Sequence, residues 1–386
     1  MSSLVRTASP EFGEGGRPRL TLLRGEGAYL FDRLGRRYVD LGATHGVGNL
    51  GASHPKVVQA VQEQAAQMLH LGSGYAHPVR TAFLERLLDL LPPSFARVFL
   101  SNSGTEAVEA AIKIARSATG RPKVVAARRG FHGRTFGSLS ATWRRELREP
   151  FEPLVPEFVH VPYNEPAALE SAVDERTALV LLEPVQGEGG VHVGTPDFLR
   201  AARLACDRAG SLLAFDEVQT GLGRTGRRFA FEHSGVVPDL LTLAKSLAGG
   251  LPIGATVTSA EVESRFRGSH HSTFGGNPLA CAAGLAALDV LVEERLAERA
   301  ERLGRKVLPA LSTLPDDRLR ELRGLGLMWG VELRERAAPA LAALEERGYL
   351  AISAGATVVR LLPPLVISEP DWDAGLAAVA DVVTHG

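Results

Sequence analysis

Lysine is scarce in this sequence: of 43 basic side chains only Lys56, Lys113, Lys123, Lys245 and Lys306 are lysines. The remainder are arginine, a bias read as genome composition rather than function. Cysteine is scarcer still. Cys206 and Cys281, the only two, each sit in an Ala/Leu-rich helical context, which excludes a disulfide framework and predicts small core residues in a reducing cytosol. No uncharged run reaches membrane-spanning length, and the opening Met-Ser-Ser-Leu-Val-Arg-Thr-Ala-Ser-Pro lacks an apolar stretch of signal-peptide length, so a cytoplasmic protein with no membrane contact is expected. A formal net charge of −1 leaves no overall field to recruit nucleic acid. His45, His54, His70, His77 and the pair His270-His271 lack the spacing of zinc ligands, and no metal site is expected. Nucleophile elbows, internal repeats and low-complexity blocks are absent from the sequence as well.

What is present is a long chain with ordinary globular composition. At 386 residues it exceeds one simple core, and 45% hydrophobic with 23% charged residues suits a soluble enzyme of two domains. Residues 1–19 are rich in Gly, Pro, Ser and Arg, a composition that predicts poor order. Leu20–Leu23, Ala28–Asp32 and Arg37–Leu41 read as a short antiparallel meander, and helical periodicity begins at Lys56. From Val98 to Leu243 short apolar strands alternate with helices, notably Thr105–Thr119 and Pro196–Ala209. That alternation predicts an α/β fold, a mostly parallel sheet covered on both faces with ligands at the carboxyl ends of its strands. A long helical stretch from Pro278 to about Leu303 leads into a smaller α+β unit that ends in a helix from Glu369. The expected division is 1–50 contributing to the small domain, 51–280 as the large domain, and 281–386 as the C-terminal small domain.

Lys245 stands apart from the other lysines, because Leu-Thr-Leu-Ala-Lys (241–245) puts it at the end of a buried-strand pattern. A lone ammonium there is costly to desolvate unless it is paired or chemically converted. Upstream, Ser-Leu-Leu-Ala-Phe (211–215) ends in Asp216. A lysine able to form a Schiff base and a carboxylate for a pyridinium nitrogen are the pair that a pyridoxal phosphate enzyme requires. A buried Lys–Asp ion pair is the plainer alternative.

The other motifs have two readings each. Ser103-Gly104-Thr105 at a strand-to-helix turn suits a phosphate at the positive end of the helix, or simply an N-cap. In Phe131-His132-Gly133-Arg134 the aromatic ring can cover a planar cofactor and the guanidinium can fork onto a carboxylate, unless the segment is a surface turn. Arg360 lies in an apolar strand and needs a partner, for which Glu188 in the loop Glu183–Gly190 is a candidate; a structural salt bridge is the alternative. Gly221-Leu222-Gly223-Arg224-Thr225-Gly226 matches a dinucleotide fingerprint, but the helix and the downstream acid that such a site needs are missing, and the glycines read as a flexible loop.

Taken in order, Ser103–Ala107, Phe131–Thr135, Glu183–Glu188, Asp216–Gly221, Leu243–Lys245 and Thr273–Pro278 resemble the class III aminotransferases, pyridoxal 5'-phosphate (PLP) enzymes of fold type I, in their acetylornithine/ornithine branch. The resemblance runs from about Leu20 to the end. It implies that Lys245 carries the imine and moves a proton, that Asp216 keeps the pyridine nitrogen protonated, and that Gln219 meets the ring oxygen. Phe131 and Val218 would sandwich the ring, and Ser103, Gly104 and Thr105 would hold the phosphate. Thr273 would complete the phosphate cup of a neighbouring subunit, making a homodimer part of the site. It also implies that Arg134 binds a carboxylate, and that Arg360 takes the α-carboxylate of glutamate while Glu188 masks it for the terminal-amine substrate. His45 departs from the tyrosine some relatives have near the entrance. Within the branch, Ala141–Trp143, Arg148–Phe151 and Val359–Leu365 are most similar to enzymes of lysine biosynthesis through α-aminoadipate, some of which also serve arginine synthesis. Those exchange an amino group between glutamate/2-oxoglutarate and a terminal semialdehyde tethered to a small acidic amino-group carrier protein. Arg144, Arg145 and Arg148 would then form a basic rim for the carrier, or else a solvated charged face. The alternatives are transamination of N-acetylornithine, a 4-aminobutyrate-type ω-transaminase and a semialdehyde aminomutase.

Overall fold

The alternation of strand and helix expected between residues 98 and 243 is realised as a seven-stranded sheet. The computed structural model describes residues 20–312, 314–315 and 317–385, so the poor order expected of 1–19 lies outside the described residues. Across the large sheet the strands run Arg97–Ser101, Gly254–Thr258, Leu240–Leu243, Leu212–Asp216, Thr177–Leu182, Lys123–Ala127 and Phe158–Val161. Gly254–Thr258 is antiparallel to both neighbours, and the other pairings are parallel.

Side-chain alternation explains why both faces are covered. Val124, Ala126, Leu179, Leu181, Leu212 and Ala214 pack with Val108, Ala111, Ile112 and Ala115 of helix Gly104–Thr119. Their neighbours Val125, Ala127, Val180, Leu182, Leu213 and Phe215 join the opposite cluster, which includes Phe198, Leu199, Ala202 and Cys206 of helix Pro196–Ala209. A period of two in a sheet buried on both sides leaves no polar face, and these strands accordingly read as continuous apolar runs. Helix Pro196–Ala209 starts where Thr195 accepts from the amide of Phe198 and stops at Gly210, whose φ of 65° is the left-handed C-terminal stop.

The N-terminal meander is Leu22–Glu26, Tyr29–Asp32 and Arg37–Asp40, its first strand displaced along the chain from the expected Leu20–Leu23. Its last strand pairs in parallel with Tyr349–Leu350, which ties the beginning of the described chain to the C-terminal part. A second four-stranded sheet orders Leu319–Leu325, Met328–Leu333, Val358–Leu361 and Ile352–Ala354. The helix expected from Pro278 to about Leu303 is broken: Arg295 takes a left-handed φ of 51° and separates Pro278–Glu293 from Leu296–Gly304. Another expectation is corrected at Gly221–Gly226. All six residues are buried, and the Arg224 guanidinium donates to the carbonyls of Leu327 (2.8 Å) and Pro363 (2.6 Å) and to Asn49 Oδ1 (2.5 Å). The segment is a packed clamp between three parts of the chain and not a flexible loop.

Candidate active site

A cavity of about 420 Å³ opens where the parallel strands end. The turns after Ser101, Ala127, Leu182, Asp216 and Leu243 all reach it, because strands running the same way deliver their following loops to the same edge. The antiparallel strand Gly254–Thr258, not marked by the sequence, inserts between the strand that leads to Ser103 and the one that leads to Lys245, and Leu251, Pro252 and Ile253 ahead of it line the same cavity.

Lys245 lines this cavity and begins the short turn Lys245–Ala248. Its φ of 41° is left-handed, a conformation rarely held by a non-glycine residue unless the surroundings enforce it. Its surface is only half-buried because the cavity exposes it, yet desolvation lowers the ammonium pKa from its ordinary value, against the opposing charge of Glu188. The shift favours the neutral amine, which is the nucleophilic and basic form. Among the described residues no hydrogen-bond partner holds its Nζ, so the expected ion-pair alternative is not what forms.

Asp216 is 5% exposed, and its Oδ2 lies 2.8 Å from His132 Nδ1 while Oδ1 accepts from the Val218 amide at 3.1 Å. The His132 pKa is raised: desolvation by itself would lower it, but the hydrogen bond and charge of Asp216, together with Glu183, outweigh that. Glu183 is also buried and accepts from the amides of Phe131 (2.8 Å) and Gly187 (3.0 Å). Burial pushes its carboxyl up to about 7. Neither His132 nor Glu183 was singled out by sequence reasoning. The only signal was their membership of motifs chosen for other residues.

At the other end of the cavity, Ser103 is the N-cap of helix Gly104–Thr119: its Oγ accepts from the Glu106 amide at 3.3 Å and donates to Glu106 Oε2 at 2.7 Å. The N-cap reading of this turn is thus realised, and Ser103, Gly104 and Thr105 line the cavity. A Cβ on Gly104 would come within 2.8 Å of Val218, so only glycine lets these two walls approach. Thr105 Oγ1 bonds to Thr135 Oγ1 (2.8 Å) and Ser138 Oγ (2.6 Å), tying the helix start to the Phe131–Thr135 loop. Phe131, Val218, Gln219 and Arg134 line the same cavity, Arg134 with an exposed side chain. Thr273 is not brought to it; it is exposed, next to the exposed Phe274.

Arg360 is fully buried, with Nη1 2.6 Å from Glu188 Oε1 and 3.2 Å from Gln219 Oε1, and Nη2 3.4 Å from His45 Nδ1. Glu188 lines the cavity and Arg360 does not. The Glu188 pKa is lowered even though desolvation, its largest single influence, raises it, because the charge and hydrogen bond of Arg360 prevail. The His45 pKa is lowered by desolvation and then by the charge of Arg360, which favours the neutral ring. Glu188 also lines an outer groove of about 690 Å³. The rim expected to be basic is mixed in charge there: Arg145 pairs with Glu149 at 3.0 Å, Arg144 approaches Glu146 at 3.9 Å, and Glu152 shares the lining with Arg148.

The family model for class III aminotransferases matches residues 13–383. The acetylornithine aminotransferase of Methanopyrus kandleri is 50% identical, covering 94% of each chain, and the LysW-aminoadipate semialdehyde transaminase of Deinococcus radiodurans is 46% identical over 95% of this chain and 86% of its own. Among solved structures, an ornithine aminotransferase of Toxoplasma gondii, described with partial occupancy of PLP at its active site, superposes with a TM-score of 0.91 at 34% identity, covering 97% of this chain and 92% of that one. The chain belongs to the class III aminotransferases, PLP-dependent enzymes of fold type I.

Proposed function

We propose that this enzyme exchanges an amino group between glutamate/2-oxoglutarate and the terminal semialdehyde of a protected amino acid, in lysine or arginine biosynthesis. The observation that carries the reading is the Glu188–Arg360 pair: a fully buried guanidinium covered by a carboxylate that itself faces the cavity. Glutamate reacts at a carbon that bears a carboxylate, whereas the other substrate reacts at a carbon that bears none. A permanently bare guanidinium would favour the first and penalise the second, and a carboxylate able to cover or leave it serves both.

The cavity suits PLP on chemical grounds: its lining brings together an amine with no hydrogen-bond partner among the described residues, a buried carboxylate and the start of a helix. When bound, that group supplies an aldehyde that condenses with amines and a protonated ring that accepts an electron pair. Lys245 Nζ is the amine that would tie it down and then carry a proton at the substrate carbon. Asp216, oriented by His132, would hold the proton of the ring nitrogen. Phe131 and Val218 would flank the ring, Gln219 would approach its oxygen, and Ser103, Gly104 and Thr105 would hold the phosphate. Arg134, with no carboxylate partner among the described residues and exposed at the cavity, would take a substrate carboxylate. The exposure of Thr273 and Phe274 supports a homodimer in which Thr273 serves the neighbouring site. The same reading makes 51–280 the cofactor domain, with 1–50 and 281–386 forming the smaller one, supported by the pairing of Arg37–Asp40 with Tyr349–Leu350. It places the enzyme in the cytoplasm.

For the amine acceptor, similarity to the Deinococcus enzyme supports a semialdehyde carried on a small acidic protein, and the similarity to the Methanopyrus enzyme supports N-acetylornithine as the second reading. Rates with carrier-linked lysine against N-acetylornithine, with 2-oxoglutarate as acceptor, separate the two. The transaminase reading itself is tested by adding PLP and reducing with borohydride: the adduct is expected on Lys245, and an adduct elsewhere overturns the assignment. Glu188→Ala is expected to raise kcat/KM for glutamate relative to the terminal-amine donor.

A further inference from the structure

The loop that carries Glu188 crosses the C-terminal sheet at one row of residues. Arg323 pairs in register with Gly330 on the neighbouring strand, and Gly330 pairs with Arg360 on the next. Directly paired residues of antiparallel strands face the same side, so two arginines flank a glycine on one face. The loop lies over that glycine: a Cβ on Gly330 would come within 3.0 Å of the Gly190 carbonyl oxygen and 3.1 Å of Val191 Cβ. Arg360 meets Glu188 from one side of the seat. From the other side, Arg323 Nε donates to the Gly190 carbonyl at 2.8 Å.

Arg323 is itself firmly held. It is 8% exposed, and its Nη1 lies 2.6 Å from Glu332 Oε2 and 2.7 Å from Glu321 Oε2. Val185 and Val191 pack with Met328 of the same sheet and with Leu362, which follows its strand Val358–Leu361. The entry of the loop is fixed separately, by the Gly187 amide on Glu183 Oε2 at 3.0 Å. Three of the four residues from Gly187 to Gly190 are glycine, and Gly190 sits at φ 116°. Such a segment has much backbone freedom to lose; the pairing of Val185–Gln186 with His192–Val193 closes it at its base, and Arg323 adds a hold at Gly190, nearer Glu188.

We infer that Arg323 is a positioning residue for the Glu188–Arg360 switch: it holds the exit of the loop at Gly190, so that Glu188 covers or uncovers Arg360 by side-chain rotation alone. The inference rests on the proposed use of that pair to accommodate two substrates. Releasing the anchor leaves Arg360 uncovered more of the time, which acts in the same direction as removing Glu188.

The test is a double-mutant cycle on the PLP-loaded enzyme, reading the ratio of kcat/KM for glutamate to that for N-acetylornithine, with glutarate affinity by calorimetry as a second readout. Arg323→Gln is expected to raise the ratio roughly three- to tenfold and to tighten glutarate, and to change neither in a Glu188→Ala background. An Arg323→Gln enzyme with the wild-type ratio, while Glu188→Ala shifts it, overturns the anchor and leaves the switch standing. A shift that persists in the Glu188→Ala background also overturns the anchor, since it marks general damage to the fold. If Glu188→Ala leaves the ratio unchanged, the two-substrate reading fails and the anchor with it. Should Arg323→Gln not fold, Gly330→Ala, which crowds the same carbonyl, is expected to shift the ratio the same way, and no shift overturns the inference.

Discussion

His132 Nδ1 and Asp216 Oδ2 lie 2.8 Å apart, with 2% and 5% of the two residues exposed. The pair forms a buried charge-assisted contact in which the imidazole orients the carboxylate toward the cavity. Breaking such a pair by removing one partner costs more than the pair's net worth, because the remaining group stays desolvated. His132→Leu is therefore expected to lower stability by about 1–3 kcal/mol and to weaken PLP binding by roughly tenfold or more. His132→Asn, which returns a donor near the Nδ1 position, is expected to recover much of both. Urea denaturation of the PLP-free protein and equilibrium PLP titration measure the two effects, and PLP affinity unchanged in the Leu variant counts against this role.

The raised carboxyl of Glu183 makes stability depend on pH with a definite sign. Its folded value is about 7 against an ordinary 4.5. Between these values the unfolded chain gives up a proton that the folded chain keeps. The stabilising contribution is complete below about pH 4.5 and is lost as pH rises through about 7, amounting to at most roughly 3–4 kcal/mol. Glu183→Gln is expected to flatten this part of the stability curve, which melting temperatures at pH 5 and pH 8 would reveal. A wild-type slope that survives the substitution assigns the proton to another group.

Ser103 serves the helix as a cap whatever else it holds. Losing the hydroxyl in Ser103→Ala removes its bonds to the Glu106 amide and to Glu106 Oε2. The expected loss is about 1 kcal/mol in the PLP-free protein, from the cap alone. A larger loss when PLP is bound than when it is absent is expected if the hydroxyl or the amides behind it also meet the phosphate. Equal losses in the two states would leave Ser103 with a structural role only.

Arg224 bonds to Asn49, Leu327 and Pro363, and among the described residues the carboxylate that influences it is Asp40. Arg224→Ala leaves those acceptors unpaired in a buried site and is expected to cost about 3–5 kcal/mol. Chemical denaturation is the measurement. A loss below about 1 kcal/mol would mean that the clamp is not what joins these segments.

The placement of Lys245 and Asp216 at the strand ends was legible because each terminates an apolar run, where an unexplained charge invites a reason. The parallel sheet was legible too, since continuous apolar strands between helices admit few other arrangements. Long-range partners were not. His132 meets a carboxylate 84 residues away, and Arg323 reaches a carbonyl 133 residues away, and neither has a local pattern that announces the contact. Gly254–Thr258 escaped notice because Gly-Ala-Thr-Val-Thr carries little bulk; its burial comes from its neighbours. The break at Arg295 was hidden for another reason. A single left-handed residue interrupts a helix without glycine or proline, leaving the apolar periodicity on both sides intact.

The parallel pairing of Arg37–Asp40 with Tyr349–Leu350 sets an order of events during synthesis. The early strand must wait while roughly 300 residues are translated, at about 5–20 residues per second, before its partner leaves the ribosome. The seven-stranded sheet, by contrast, is complete at Thr258. The part of the polypeptide that bears Lys245 and Asp216 can thus assemble while the tail is still being made, and the first and last segments close over it afterwards.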